Sequence, residues 1–286
     1  MSMRTTTSVE VMRQRHPEIF MPAWRRNRTG IVVFAALAAL LVYGLADLGF
    51  LHPRIVEGLG KLMSVFGMML PPDPGSWERA VIYLKALGET LAIAFLGTVL
   101  GAAVAFPIGF LAARNATVGR IVHFLTRRSL DTLRGVDVLV WALIWINVVG
   151  LGPFAGVLAL MTSDIGSFGK LFSEAIEASD KRPVEGVLST GGGALHRVRF
   201  GILPEVLPVM AGQVLYFIES NTRSASIIGI VGAGGIGMHL AEQIRVLEFQ
   251  HVAFIIVLVL IAVAAIDWLS TRLRLALIGT KRVAVA

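Results

Sequence analysis

The chain has 286 residues, of which 55% are hydrophobic and only 16% are charged, and its mean hydropathy is +0.74. Soluble domains carry about 25% charged residues, so this composition excludes an ordinary water-soluble protein and predicts a membrane protein. The net charge of +7 would suggest a nucleic-acid partner for a soluble chain, but beside apolar spans it indicates orientation in the bilayer, and we expect no nucleic-acid partner.

The N-terminal part of the chain predicts one membrane anchor followed by a surface segment. Residues 1–30 are rich in arginine and lack a small-residue cleavage site, which indicates a cytoplasmic tail before an uncleaved span. The apolar run at about 31–48 is long enough to cross a bilayer. Charges and prolines interrupt residues 49–83, and we expect an amphipathic helix at about 55–69 on the extracytoplasmic interface.

A second span is expected at about residues 84–113, and it contains a regular row of small residues. Gly97, Gly101, Ala105 and Gly109 are spaced four positions apart. Because such positions share one helix face, the row predicts a flat stripe against which another helix packs closely.

The apolar stretch that begins near residue 138 allows two interpretations. It is either a single span at 138–161 or two spans at about 135–149 and 153–178, with a break at Gly150, Gly152 and Pro153. Glycine and proline punctuate helices, but this signal alone does not decide between the two.

Basic residues favour the second interpretation. They cluster in residues 1–30, 114–134, 181–199 and 272–282, and such clusters accumulate on the cytoplasmic side of a membrane. The clusters share one side only if two spans separate each neighbouring pair. With further spans at about 202–224 and 252–273, we expect an all-α integral membrane protein with about six transmembrane helices and both termini in the cytoplasm.

A motif lies between the expected fourth and fifth helices, where the sequence reads VEGVLSTGGGALHRVRFGILPEVLP. Its anchor positions are Glu185, Gly191, Gly201, Leu203 and Pro204. The spacing resembles the E-A-A-x3-G-x9-I-x-L-P loop of permease subunits in ATP-binding-cassette importers. The chain departs from that pattern because glycine and valine replace the two alanines and a glycine replaces the isoleucine.

The resemblance implies a type I importer permease domain at about 84–275, with a C-terminal cytoplasmic tail at 276–286. It also implies that a coupling segment, residues 180–204, docks on a separate ATPase. The residues expected to carry this contact are Glu185, Gly186, Gly191, Arg197, Leu203 and Pro204. The implied partners are a second copy of the chain in a homodimer, two ATP-binding-cassette ATPase subunits and an extracytoplasmic solute-binding protein, in the bacterial plasma membrane.

Further stretches resemble the phosphonate and phosphite permeases of this family. They are residues 89–115, 139–160, 169–178 and 222–237. This resemblance implies a cargo of phosphonates or related phosphorus oxyanions such as phosphite and phosphate. Because the coupling loop is shared by many importers, methionine or a quaternary amine remains an alternative cargo.

The chain has no ATP-binding motif of its own. The nearest approach to a phosphate-binding loop is Gly169-Lys170, which is followed by leucine rather than serine or threonine. We therefore expect a transport subunit that is not an enzyme and binds no cofactor, with ATP and magnesium bound by the partner ATPase.

Polar residues in the expected fifth helix are candidates for the translocation pathway. They are Glu219, Asn221, Arg223 and Ser224. Ionisable groups are costly in a membrane and often functional, and an arginine with hydroxyl neighbours attracts an oxyanion. Glu219 and Arg223 are also four positions apart, so a neutralised structural pair is the alternative.

A glycine-rich turn, residues 229–237, follows the same helix. Gly232, Gly234 and Gly237 spell the G-x-G-x-x-G pattern of dinucleotide-binding turns, which leaves a membrane-bound oxidoreductase as an alternative. A cofactor turn needs a strand before it, whereas here a membrane helix is expected. We therefore predict a hinge or gate at the outer end of the pore, formed by these glycines together with Gly235.

Overall fold

The computed structural model describes residues 28–50, 54–116 and 119–278, and all of their regular elements are helical. This confirms the all-α expectation for the described part of the chain. The expected tails at 1–30 and 276–286 fall almost wholly outside the described residues. The chain divides into two compact units, Met1–Phe66 and Gly67–Ala286.

The first unit contains α1, Arg28–Asp47, and most of α2, Arg54–Met68. Between its polar ends, the side chains of α1 are apolar and largely exposed, and Phe34 is 74% exposed. A helix that is apolar on all sides is stable in lipid, so α1 has the character of the predicted anchor.

The second unit consists of successive helices joined by short connections. In chain order its elements are α3 (Trp77–Ala112), α4 (Arg120–Arg134), α5 (Val138–Val149), α6 (Pro153–Ala178), α7 (Lys181–Ser189), α8 (Ala194–His196), a π-helical turn (Arg197–Ile202), α9 (Leu203–Ile230), α10 (Ile236–Arg245) and α11 (Phe249–Ile278). Helix α6 is the centre of this unit, because α3, α4, α5 and α9 all pack against it.

The row of small residues on α3 forms the interface with α6, as its spacing predicts. A Cβ atom placed on Gly97 would lie 2.7 Å from Leu160 Cβ, and one placed on Gly101 would lie 2.8 Å from Asp164 Cβ. Gly109 meets Phe172 in the same way, at 2.8 Å. The two backbones therefore approach so closely that a side chain at any of these three glycines would force them apart.

The break near residue 150 separates two helices, as the second interpretation expects, and their assignment as two membrane spans stays a prediction. Gly150 and Gly152 have φ values of +92° and +133°, which favour glycine, and Pro153 begins α6. Helix α5 folds back on α6, where Trp145 Nε1 donates a hydrogen bond to Thr162 Oγ1 at 3.0 Å.

Four described helical stretches are long and apolar enough to cross a bilayer: Thr29–Asp47, Trp77–Ala112, Ala194–Ile230 and Phe249–Ala276. Helices α4 and α5, bent by 89°, would make a fifth if they form one broken span. The expected six spans are therefore not confirmed. Helix α6 carries Asp164 and Lys170 among its apolar residues, and a helix surrounded by protein does not need a uniformly apolar surface.

Candidate functional site

The coupling segment begins with a capped helix that is tied to α9. Asp180 precedes α7, and its side chain accepts a hydrogen bond from Arg182 N at 3.1 Å. The carboxylate of Glu205, in the first turn of α9, accepts from Asp180 N at 3.0 and 3.1 Å. Helix α7 starts at Lys181, because Asp180 supplies the cap.

A sharp turn and a π-helical turn complete the coupling segment. Gly191 has a φ of +80°, and its N–H donates to Leu188 O at 3.0 Å, which ends α7. A Cβ atom on Gly201 would lie 3.1 Å from Val184 Cα. The glycine at this position thus lets the π-helical turn approach α7 closely, which accounts for its departure from the importer pattern. Leu203 and Pro204 then begin α9, as predicted.

The outer surface of the coupling segment is exposed and partly apolar. Leu188, Leu195 and Phe200 are 49%, 83% and 57% exposed, respectively. A groove of about 490 Å³ lies between α7 and α8. Exposed apolar side chains around a groove are typical of a surface that binds another protein. Glu185 and Gly186 are exposed, and Arg197 is partly buried.

A buried polar cluster, formed by Thr98, Asp164 and Asn221, joins three helices. The amide of Asn221 on α9 donates to Asp164 Oδ2 on α6 at 2.6 Å and to Thr98 Oγ1 on α3 at 2.8 Å. All three residues are buried, and Asn221 is 7% exposed. The structure therefore places Asn221 in the core of the chain, where buried polar groups fix the arrangement of the helices.

The ionic residues of α9 form a triad with α11. Arg223 and Arg274 both contact the Glu219 carboxylate at 3.4 Å. Glu219 is nearly buried, whereas the Arg223 side chain is 50% exposed. Arg223 and the partly exposed Ser224 lie near the outer surface of the chain, and the triad carries one surplus positive charge.

The glycine-rich turn is bound to two other parts of the unit. Gly235 N donates to Glu89 Oε1 and Ile236 N donates to Thr90 Oγ1, both at 2.8 Å. Gly152 N donates to Gly232 O at 3.0 Å, which ties the turn to the connection between α5 and α6.

Close backbone approach explains why glycine fills these positions. Gly232, Gly234 and Gly235 have φ values of +102°, +83° and +74°, which favour glycine. A Cβ atom on Gly237 would collide with Ser226 O of α9. The predicted break after α9 is confirmed, and the gating role stays a prediction.

The geometry of the turn does not support the oxidoreductase alternative. A dinucleotide-binding turn follows a parallel strand and offers its backbone N–H groups to a pyrophosphate. Here the turn follows α9, the described residues contain no strand, and the Gly235 N–H is bonded to Glu89 of the same chain.

Several residues of the polar cluster, the ionic triad and the contacts of the glycine-rich turn were not predicted from the sequence. They are Glu89, Thr90, Thr98, Asp164 and Arg274. Glu89 and Asp164 are ionisable residues inside apolar stretches, and that signal marks positions of importance in membrane helices.

Comparison with known proteins agrees with this architecture. Residues 105–277 match the family model described as "Binding-protein-dependent transport system inner membrane component". The chain is 38% identical over 261 residues to HtxC of Stutzerimonas stutzeri, which is provisionally named a phosphite transport system permease protein, with 90% of each chain covered. It is 34% identical over 252 residues to the phosphite transport system permease protein PtxC of the same organism, covering 88% of this chain and 89% of that one.

A solved structure shows the same fold at low sequence identity. A chain of the MetNI methionine ABC transporter, in an inward-facing conformation, matches with a TM-score of 0.63 at 19% identity. The match covers 71% of this chain and 99% of that chain, and it bears on the fold alone. The family match and the relatives together show that the chain belongs to the family of inner membrane components of binding-protein-dependent transport systems.

Proposed function

We propose that the chain is the permease subunit of an ATP-driven importer for phosphite, phosphonates or related phosphorus oxyanions. The observation that carries this proposal is the similarity to permeases named for phosphite transport along about nine-tenths of the chain. The chain crosses the bacterial plasma membrane six times with both termini in the cytoplasm. It forms a homodimer of type I architecture, receives cargo from an extracytoplasmic binding protein, and relies on two separate ATPase subunits for ATP and magnesium.

The position of the coupling segment supports a mechanism for energy transfer. It follows α6 directly, leads into α9, and is tied to α9 through Glu205 and Asp180. When the ATPase subunits close on ATP, the segment moves as a rigid body and carries α6 and α9 with it. The paired permeases then change from inward-facing to outward-facing, and ATP hydrolysis resets the cycle.

Uptake by the complete complex tests the proposed cargo. Liposomes containing the permease, its ATPase and its binding protein should accumulate phosphite, phosphate or a phosphonate when ATP is present. Methionine and a quaternary amine serve as the comparison solutes. Uptake of either of these, without uptake of any phosphorus oxyanion, would contradict the proposal.

Glu185→Ala should lower coupled transport without unfolding the permease. The side chain is exposed and makes no hydrogen bond or ion pair with the described residues, so its removal affects docking rather than folding. We expect ATP-dependent uptake to fall about tenfold, which corresponds to about 1.4 kcal/mol of lost interaction. Glu174→Ala removes an exposed carboxylate from α6 and is the matched control.

Gly191→Pro should uncouple the complex more completely. Proline fixes φ near −65° and lacks the N–H that donates to Leu188 O, whereas Gly191 needs a φ of +80°. If coupled uptake is normal in Glu185→Ala and Gly191→Pro, the segment does not transmit motion.

Arg223→Gln should weaken cargo transport while the fold is retained. Arg274 still pairs with Glu219 in this variant, so the nearly buried carboxylate keeps a cationic partner. We expect KM for oxyanion uptake to rise several-fold, because an exposed arginine attracts an oxyanion. Arg274→Gln is the comparison variant, since its less exposed side chain links α9 to α11. If both variants lower Tm equally and leave KM unchanged, the triad is only structural.

A further inference from the structure

Helix α4 packs on α6 with one face, also contacts α3, and leaves much of its remaining surface uncovered by the described chain. Gly166 and Gly169 of α6 accommodate this contact, since Cβ atoms there would meet Leu133 Cβ at 2.9 Å and Leu130 Cδ2 at 2.5 Å, respectively. Leu130 is 2% exposed. Lys170 of α6 donates to Asp131 Oδ1 at 2.9 Å and fixes the helix at a second point. These contacts therefore fix helix α4 against α6.

One uncovered edge of α4 is apolar. Ile121, Phe124 and Leu125 are 76%, 59% and 59% exposed, respectively, and recur at the spacing of one helix face. An exposed apolar edge on a helix that also carries several arginines is characteristic of a helix lying in a membrane interface.

A neighbouring edge, which shares Phe124 with the apolar one, forms a basic groove of about 720 Å³. It is lined by Arg114, Gly119, Arg120, His123, Phe124, Arg127 and Arg128. Glu177 neutralises Arg127 at 3.2 Å, and Asp131 is shared between Arg128 and Lys170. Arg114 and Arg120 make no ion pair with the described residues. Four arginines and Lys170 against two carboxylates leave the groove and its surroundings with a surplus of positive charge.

Two nitrogen atoms in the groove walls point to an anionic ligand. Arg127 Nε and His123 Nδ1 are buried and find no hydrogen-bond partner among the residues that the structure describes. Buried polar atoms normally have partners, and a phosphate oxygen accepts from a guanidinium N–H, and from His123 Nδ1 in the tautomer that places the proton there. The charge and the hydrogen-bonding capacity of the groove therefore complement a phosphate group.

We propose that the basic groove binds the headgroup of an anionic phospholipid of the cytoplasmic leaflet. The inference takes one point from the proposed function, which is that α4 lies on the cytoplasmic side of the membrane. The phosphate accepts hydrogen bonds from the arginines, while the acyl chains lie along the apolar edge at Ile121 and Leu125. A soluble phosphate would account for the charge but not for the apolar edge beside it. Basic pockets next to membrane helices bind anionic headgroups by the same chemistry.

The test is lipid retention by the complete permease–ATPase complex. The complex is purified from membranes rich in phosphatidylglycerol, and bound lipid is counted by native mass spectrometry. We expect wild type to retain phosphatidylglycerol and R114Q/R120Q to lose it. In nanodiscs that contain phosphatidylglycerol, the affinity of the variant for this lipid should be lower than that of wild type by about tenfold or more. Both arginines are exposed, so the variant keeps its fold. K85Q/R245Q removes two exposed charges from the opposite end of the unit and should retain lipid as wild type does.

Three results would overturn the inference. One is equal retention of phosphatidylglycerol by wild type and R114Q/R120Q. Another is displacement of the lipid by inorganic phosphate, which would indicate a site for a soluble anion. The third is loss of the ATPase from R114Q/R120Q with its lipid intact, which would assign the groove to protein docking. Retention is measured without cargo, so failure of the proposed transport function would leave this readout unaffected.

Discussion

G234V/G235V is expected to abolish transport and to destabilise the permease. Both positions have positive φ values, +83° and +74°, which β-branched residues rarely adopt. A Cβ atom on Gly234 would lie 2.8 Å from Pro153 N, and one on Gly235 would collide with Thr90. Backbone strain of this kind costs about 1–3 kcal/mol for each residue. The hydrogen bond from Gly235 N to Glu89 would be lost as the turn shifts.

The measurements are ATP-dependent uptake in liposomes and ATPase co-purification. We expect uptake to vanish while the ATPase still binds, because the turn and the coupling segment lie at opposite ends of α9. Gly88→Val is the matched control, since Gly88 precedes Glu89 on α3 and a Cβ atom there meets nothing within 4 Å. Normal uptake by G234V/G235V would mean that the turn is a passive loop.

The sequence features that correctly predict parts of the fold are local ones. Pro153 and the glycines before it predict the start of α6, and the structure begins the helix at that residue. The four-residue spacing of Gly97, Gly101, Ala105 and Gly109 predicts a close helix contact, and α6 provides it. Each signal depends on the conformational limits of one or two residue types, so it can be interpreted without knowledge of the partner.

The contacts that sequence reasoning missed connect distant positions. Glu89 meets Gly235 across 146 positions, and Asn221 meets Thr98 across 123. Helical periodicity indicates which face of α9 carries Asn221, but not which helix faces it. For this reason the sequence groups Asn221 with Arg223 as a pathway candidate, and the structure adds that its amide hydrogen bonds lie in the core. A pathway role for Asn221 stays a prediction.

The number of membrane spans is a feature that the sequence does not decide, for a different reason. Hydropathy identifies helices that face lipid, and α1, α3 and α11 have that character. Helix α6 exposes little of itself because four helices surround it, so selection for a lipid-soluble surface does not act on most of its length. Basic-residue clusters supported two spans in this region, and hydropathy alone does not separate them from one broken span.

Asn221→Leu should destabilise the permease, and a second substitution should reverse much of the loss. The single variant leaves the buried Asp164 carboxyl without the amide that donates to it at 2.6 Å. An unsatisfied buried group costs about 1–3 kcal/mol, and more when it is charged. D164L/N221L removes both polar partners, and replacing both with apolar groups of similar size is often close to neutral. We therefore expect Tm to fall by several degrees in the single variant and to recover in the double variant.

Transport by the same variants separates a structural role of the polar cluster from a direct role in the pathway. If the cluster only fixes the packing of α3, α6 and α9, D164L/N221L should regain uptake as it regains stability. Asp164→Asn keeps an oxygen that accepts from Asn221, so it should remain close to wild type in both measurements. A double variant that is stable but inactive would instead assign the cluster to the translocation step. A double variant as unstable as Asn221→Leu would show that the hydrogen bond to Asp164 is not the cause of the loss.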